Sequence, residues 1–135
     1  MRPIIVCLIF AFTFYASPAT AGELPPLVGS SWVATNDNGK TELALSFEAD
    51  RQLTGSIACN RCNGSYQQQG DALTIYFSAC SRQICVRLKS KNSNPIIDVT
   101  DVPNATASAK ILEDKLHLFD SAGKEVLVLD RAIVK

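Results

Sequence analysis

One histidine, one tryptophan and no excess charge of either sign distinguish this 135-residue sequence more than any abundance does. The 13 basic and 13 acidic side chains cancel. That balance excludes the usual nucleic-acid binder, which needs a basic patch able to displace counterions. The single histidine, His117, lies between Leu116 and Leu118 in strand-like sequence, and no nucleophile motif accompanies it. It reads as a solvent-facing bystander, not a general base. Phosphate-cradling glycine loops are absent. The neighbouring acids Glu113-Asp114, and Asp98 with Asp101, read as turn and surface charge. No catalytic residue, no cofactor and no metal site is therefore expected. Internal repeats and low-complexity blocks are missing too, which excludes a solenoid.

Long apolar runs are equally scarce. The longest, Ile4 to Tyr15, has 12 residues, whereas a helix needs about 20 to span a bilayer. The run follows Arg2, the only charge before residue 22, and is followed by Ala19-Thr20-Ala21, a small-x-small cleavage pattern. Cys7 sits inside the apolar run and not after the cleavage site, so a lipoprotein anchor is not expected. Residues 1–21 are read as a signal peptide cleaved before Gly22. The expected protein is secreted, periplasmic if the host is bacterial, and does not span a membrane once processed. Residues 22–30, "GELPPLVGS", read as a flexible Pro/Gly-rich entry, and residues 31–135 as one domain. A monomer is expected.

What the mature chain does have is cysteine. Cys59, Cys62, Cys80 and Cys85 follow the spacing C-x2-C-x17-C-x4-C. Export favours a disulfide framework for such an even set. The spacing also resembles a zinc ribbon, although exported thiolates tend to be oxidised before they are metallated. A redox-active Cys59-Cys62 pair is the third reading. Thioredoxin-like sites place C-x-x-C at a helix N-terminus, and here Asn63-Gly64 leads into a turn and more strand. Four cysteines allow three pairings. If "LTGSIAC" and "ALTIYFSAC" form one antiparallel hairpin, the pairs are nested: Cys59 with Cys85, and Cys62 with Cys80.

Alternation supplies the fold. Leu43, Leu45 and Phe47 alternate with Ala44, Ser46 and Glu48, and Leu73, Ile75 and Phe77 alternate with Thr74 and Tyr76. "SWVATN" is a short strand whose Trp32 is read as a core anchor. "LTGSIAC" places Leu53, Gly55, Ile57 and Cys59 on one face, and "SYQQQ" pairs with "ALTIYFSA" across Gly70-Asp71. "ATASAKIL" puts Ala105, Ala107, Ala109 and Ile111 on one face, and "KLHLF" and "KEVLVLDRA" are joined at "DSAG". Ser93 or Asn94 with Pro95 marks a possible helix start. The prediction is a mainly β single domain with about eight strands. It forms a curved antiparallel sheet or partly closed β-barrel, in one term a β-barrel, with one or two short helices.

The same residues resemble the META, or HslJ-like, domain family. The resemblance rests on Trp32, "GSIACNRCNGSY" at 55–66, "GDALTI" at 70–75, "SRQIC" at 81–85 and the closing "KLHLFDSAGKEVLVL". It covers nearly all of 31–129. It implies that Cys59 and Cys85 occupy the family's paired positions, with Cys62 and Cys80 as an additional pair. It gives Trp32, Gly55, Asn60, Gly64, Tyr66 and Arg82 structural roles in turns, close backbone approaches and packing. "SRQIC" departs from the family's Thr-Arg-Met-Ala-Cys, and the family's helix after it is not evident in "VRLKSKNSNPIIDV". The resemblance implies a non-catalytic, stress-linked envelope protein acting by binding or stabilisation. Its partner would be an envelope protein of unknown identity, or an apolar ligand, since the family fold is similar to lipid-binding pilotins. The alternative is a thiol-disulfide redox protein using the C-x-x-C pair. Asn63-Gly64-Ser65 and Asn104-Ala105-Thr106 fit glycosylation acceptors, which carry meaning only in a eukaryotic secretory pathway.

Overall fold

The computed structural model describes residues 23–36, 39–85 and 99–132. The leader assigned to residues 1–21, the proposed cap at Ser93 or Asn94, and the question of a family helix after Cys85 lie outside the described residues. Eight strands follow one another: β1 (Ser31–Thr35), β2 (Thr41–Phe47), β3 (Gln52–Ile57), β4 (Asn60–Gln69), β5 (Ala72–Cys80), β6 (Ser108–Leu112), β7 (Lys115–Phe119) and β8 (Glu125–Arg131). A short helix, α1 (Val102–Ala105), precedes β6, and 3-10 turns occupy Ala49–Arg51 and Val99–Asp101.

Each strand pairs antiparallel with the next, and β1 meets β8 through Trp32 opposite Arg131 and Val33 opposite Asp130, so the strand order returns on itself. The inward face carries the alternating apolar set. Trp32, Leu43, Leu45, Phe47, Leu53, Leu73, Leu116, Leu118, Leu127 and Leu129 are all essentially inaccessible. Each such side chain contributes about 1.5–3 kcal/mol relative to exposure.

A plain β-barrel is nevertheless a correction to make. Between β4 and β5 eight residue pairs face each other, but β5 and β6 share only Ala72 opposite Ser108. Leu73 N–H still donates to Ala107 O (3.0 Å) and Ala109 N–H to Asp71 O (2.9 Å). Beyond these bonds the two strands part, and the sheet is curved and near-closed. Helix α1 packs against β5 and β8 and buries Val102 and Pro103. Ala105 therefore belongs to a helix and Ala107 to a link, where alternation had suggested strand.

The entry segment also differs from expectation. Leu24 and Leu27 are buried in the core. Leu24 N–H donates to Asp71 Oδ1 (2.8 Å), and Leu27 N–H to Gln68 Oε1 (3.0 Å). Gln68 Nε2 returns a bond to Pro25 O (2.7 Å). Two leucines and a reciprocal amide clamp pin the segment that its prolines and glycine suggested would be loose.

Two glycines permit the sheet's tightest contacts. A Cβ on Gly55 would lie 2.0 Å from Ala44 O, and one on Gly64 would lie 1.8 Å from Tyr76 O. Neither neighbour can yield, because both are backbone atoms in paired strands. Gly64→Ala should therefore destabilise the fold by roughly 3 kcal/mol or more, at the severe end for a single methyl. A lowered urea midpoint with unchanged slope is the expected readout.

Candidate functional site

The chemistry-bearing residues gather where β3 turns into β4. Ala58 and Cys59 make the two-residue turn, with Ala58 at a positive φ of 53°. That conformation is disfavoured for an L-residue by about 1–2 kcal/mol. Here Ala58 N–H donates to Glu42 O (2.7 Å), which holds the turn against β2. Cys59 stands exposed at the turn, two residues beyond the end of the strand on which alternation had placed it.

Cys59 is bonded to Cys85 and Cys62 to Cys80. The second bridge joins directly opposed residues of β4 and β5, so it staples neighbouring strands. The premise of one hairpin containing both "LTGSIAC" and "ALTIYFSAC" is corrected, because β4 lies between them. A full strand from Asn60 replaces the shorter "SYQQQ" of the sequence reading. Closing loops 26 and 18 residues long contributes about 3 kcal/mol each in the chain-entropy account. The disulfides do not follow the C-x-x-C spacing on which the redox alternative rests. Cys59 and Cys62 are each bonded elsewhere, which leaves no thiol pair in that spacing.

Asn60 organises the rest. Its Oδ1 accepts from Gln83 N–H (2.6 Å) and from Ser81 Oγ–H (3.1 Å). Its Nδ2 donates to Gln83 O (3.2 Å). Ser81 N–H donates to Arg61 O (2.9 Å), while the Ser81 hydroxyl accepts from Arg61 N–H (3.1 Å). A single side-chain amide thus holds both main-chain groups of Gln83, with half-cystines on either side of the segment. Arg82 is exposed, and Ile84 is 102% accessible. The sequence reading gave Arg82 a structural role, but its side chain makes no hydrogen bond or ion pair among the described residues.

Gly55 stands directly opposite Cys62, whereas Tyr66 and Trp32 make their contacts outside the clamp. Tyr66 donates its hydroxyl to Glu48 O (3.2 Å) and meets Phe47 edge-on with ring centroids 4.8 Å apart. Burial pushes its phenol above the ordinary tyrosine value, so it stays a neutral donor. Trp32 is sealed in the core, its Nε1–H on Ser30 Oγ (2.8 Å), with the Arg131 guanidinium 4.3 Å from the ring centre. Arg131 is aimed by Asp114 Oδ1 (2.8 Å), which sits in the β6–β7 turn where Glu113 and Asp114 both have positive φ. His117 is less exposed than its sequence suggested. Its side chain retains 18% accessibility, and Nδ1 lies 2.8 Å from Glu125 Oε2. Its cross-strand neighbours are Lys110 and Val128, neither of them a nucleophile. Among the described residues no group of three or more His, Cys, Asp or Glu side chains could hold a metal. No helix among them is long and apolar enough to cross a membrane.

The META domain family model matches residues 25–133. No curated protein and no solved structure matches the chain.

Replacing Cys59 and Cys85 together by Ser should cost about 2–5 kcal/mol and lower Tm by roughly 10 °C or more. His117→Ala removes one partly exposed side-chain contact with Glu125 and should change stability by less than about 1 kcal/mol. Differential scanning calorimetry of the two variants checks both.

Proposed function

We propose that this chain, which belongs to the META domain family, is a non-catalytic secreted protein that binds or stabilises envelope components. The observation that carries the reading is the use of all four mature cysteines in disulfides at one end of the sheet. Bonded cysteines offer neither a thiolate nucleophile nor a metal ligand. They suit an oxidising compartment, and the leader-like residues 1–21 supply a route to it. Periplasmic residence follows if the host is bacterial, and a stress-linked role follows from the family resemblance.

A surface-binding role is better supported than an apolar ligand inside the sheet. Trp32, Phe47 and the inward leucines fill the interior to the point of excluding solvent. A surface depression of about 490 Å³ is lined by Leu27, Val28, Arg51, Tyr66 and Gln68 among others, a mixed lining suited to polar contact. His117 engages Glu125 and stands apart from any nucleophile, which favours a role carried by surface and stability.

Intact mass of the exported protein should begin at Gly22. Capture experiments with the mature protein in its own envelope fraction should retain a partner at stoichiometric levels. In a stress-survival assay, His117→Ala should protect cells as well as the native protein, and the Cys59→Ser/Cys85→Ser variant should not. Loss of protection in His117→Ala with the fold intact would overturn the non-catalytic reading.

A further inference from the structure

We propose that Ser81–Cys85 is a substrate-like loop that inhibits serine endopeptidases of the trypsin class, with Arg82 entering the enzyme's specificity pocket. The assignment names a partner class for the binding role above and rests on that reading. Tight inhibition of an endopeptidase by a protein surface requires a short exposed segment already held in its bound shape, so that little conformational freedom is lost on docking. This segment has that construction. Cys80 is tied to Cys62 and Cys85 to Cys59. Within the bracket, Ser81 is fixed to Arg61 and Asn60, and Gln83 is held through both its N–H and its C=O by Asn60.

Between those two fixed residues lies Arg82. Its N–H, C=O and guanidinium make no hydrogen bond or ion pair among the described residues. A peptide docking along an endopeptidase cleft uses such free main-chain groups for strand-like pairing. A permanently charged guanidinium suits the acidic pocket that gives trypsin its preference. Ile84, two residues on and fully accessible, supplies an apolar contact on the leaving-group side. An isoleucine held entirely in water gains nothing from the fold itself.

The clamp also explains how such a segment resists turnover. Hydrolysis of the Arg82–Gln83 amide consumes one water and yields an Arg82 carboxylate and a Gln83 amine. The Arg82 side stays attached through the Cys80–Cys62 bridge, and the Gln83 side through Cys85–Cys59 and the Asn60 amide. The new amine cannot diffuse away, so re-formation of the amide is an intramolecular reaction with a large effective concentration.

The test titrates a fixed amount of trypsin with the disulfide-intact mature protein and follows hydrolysis of a small chromogenic amide. Activity should fall to zero near equimolar protein. Arg82→Ala should weaken inhibition by about 100-fold, the scale of a central anchor residue, while the remote exposed Lys124→Ala leaves it unchanged. Asn60→Ala should be cleaved faster at Arg82–Gln83, gaining the mass of one water while its halves stay joined until reduced. Rapid cleavage of the native protein at that bond without inhibition would overturn the proposal. So would no effect on trypsin, or equal inhibition by Arg82→Ala. None of these outcomes touches the capture of envelope partners, whose failure is read in a separate experiment.

Discussion

Main-chain pairing of β1 with β8 brings the first strand of the sheet against the last, and the rest of the architecture follows from it. Curling eight strands until their ends meet leaves an interior just wide enough for its own side chains. Inward positions must then be apolar and close-packed, and two of them must be glycine where a carbonyl of the neighbouring strand intrudes. The pairing is thinnest on one side of the sheet. Between β5 and β6 the ladder shrinks to one residue pair, and α1 lies against β5 near that break.

The two ends of the molecule solve different problems. Near Trp32, an aromatic ring is covered by a guanidinium that a turn carboxylate aims. The β3–β4 end has little apolar material to bury, and covalent bonds replace packing there. One buried sulfur, Cys62, links the core to an assembly of exposed Cys59, Ser81 and Gln83 around the half-buried Asn60. This explains why a polar strand beginning "NRCNGS" stays paired on both sides, in unbroken register with β3 and with one bulge against β5 between Asn63 and Gly64. Its neighbours on both sides and the bridge to Cys80 fix it, although its own β-propensity is poor.

The strands with strict alternation were legible because period two is a local signal: Leu43 to Phe47 and Leu73 to Phe77 need no knowledge of distant residues. What was not legible depends on partners far along the chain. Leu24 and Leu27 are fixed by Asp71 and Gln68, 47 and 41 positions away, and a Pro/Gly-rich segment read alone suggests only looseness. The start of β4 was hidden because Asn60 and Arg61 look like loop residues until β3 and β5 are in place. Asn60 marks the same limit at the site. Its place in a Cys-Asn motif was visible, but its hold on Gln83, 23 positions away, was not. The Ala105 error has the opposite cause. An alanine-rich stretch alternates by accident, and Pro103 in the first turn of α1 was the available signal against strand.

Among the described residues, five other than glycine sit at positive φ: Asp50, Arg51, Ala58, Glu113 and Asp114. All lie in the turns, where glycine or asparagine would be relaxed. At about 1–2 kcal/mol apiece, the torsional penalty they hold is comparable with the net stability of a small domain. Headroom for a more robust variant therefore lies in the loops, with the interior already full. Asp114 is the position to leave alone, since its carboxylate aims Arg131. Glu113, Asp50 and Arg51 are exposed, so glycine there would relax the backbone without disturbing a core contact.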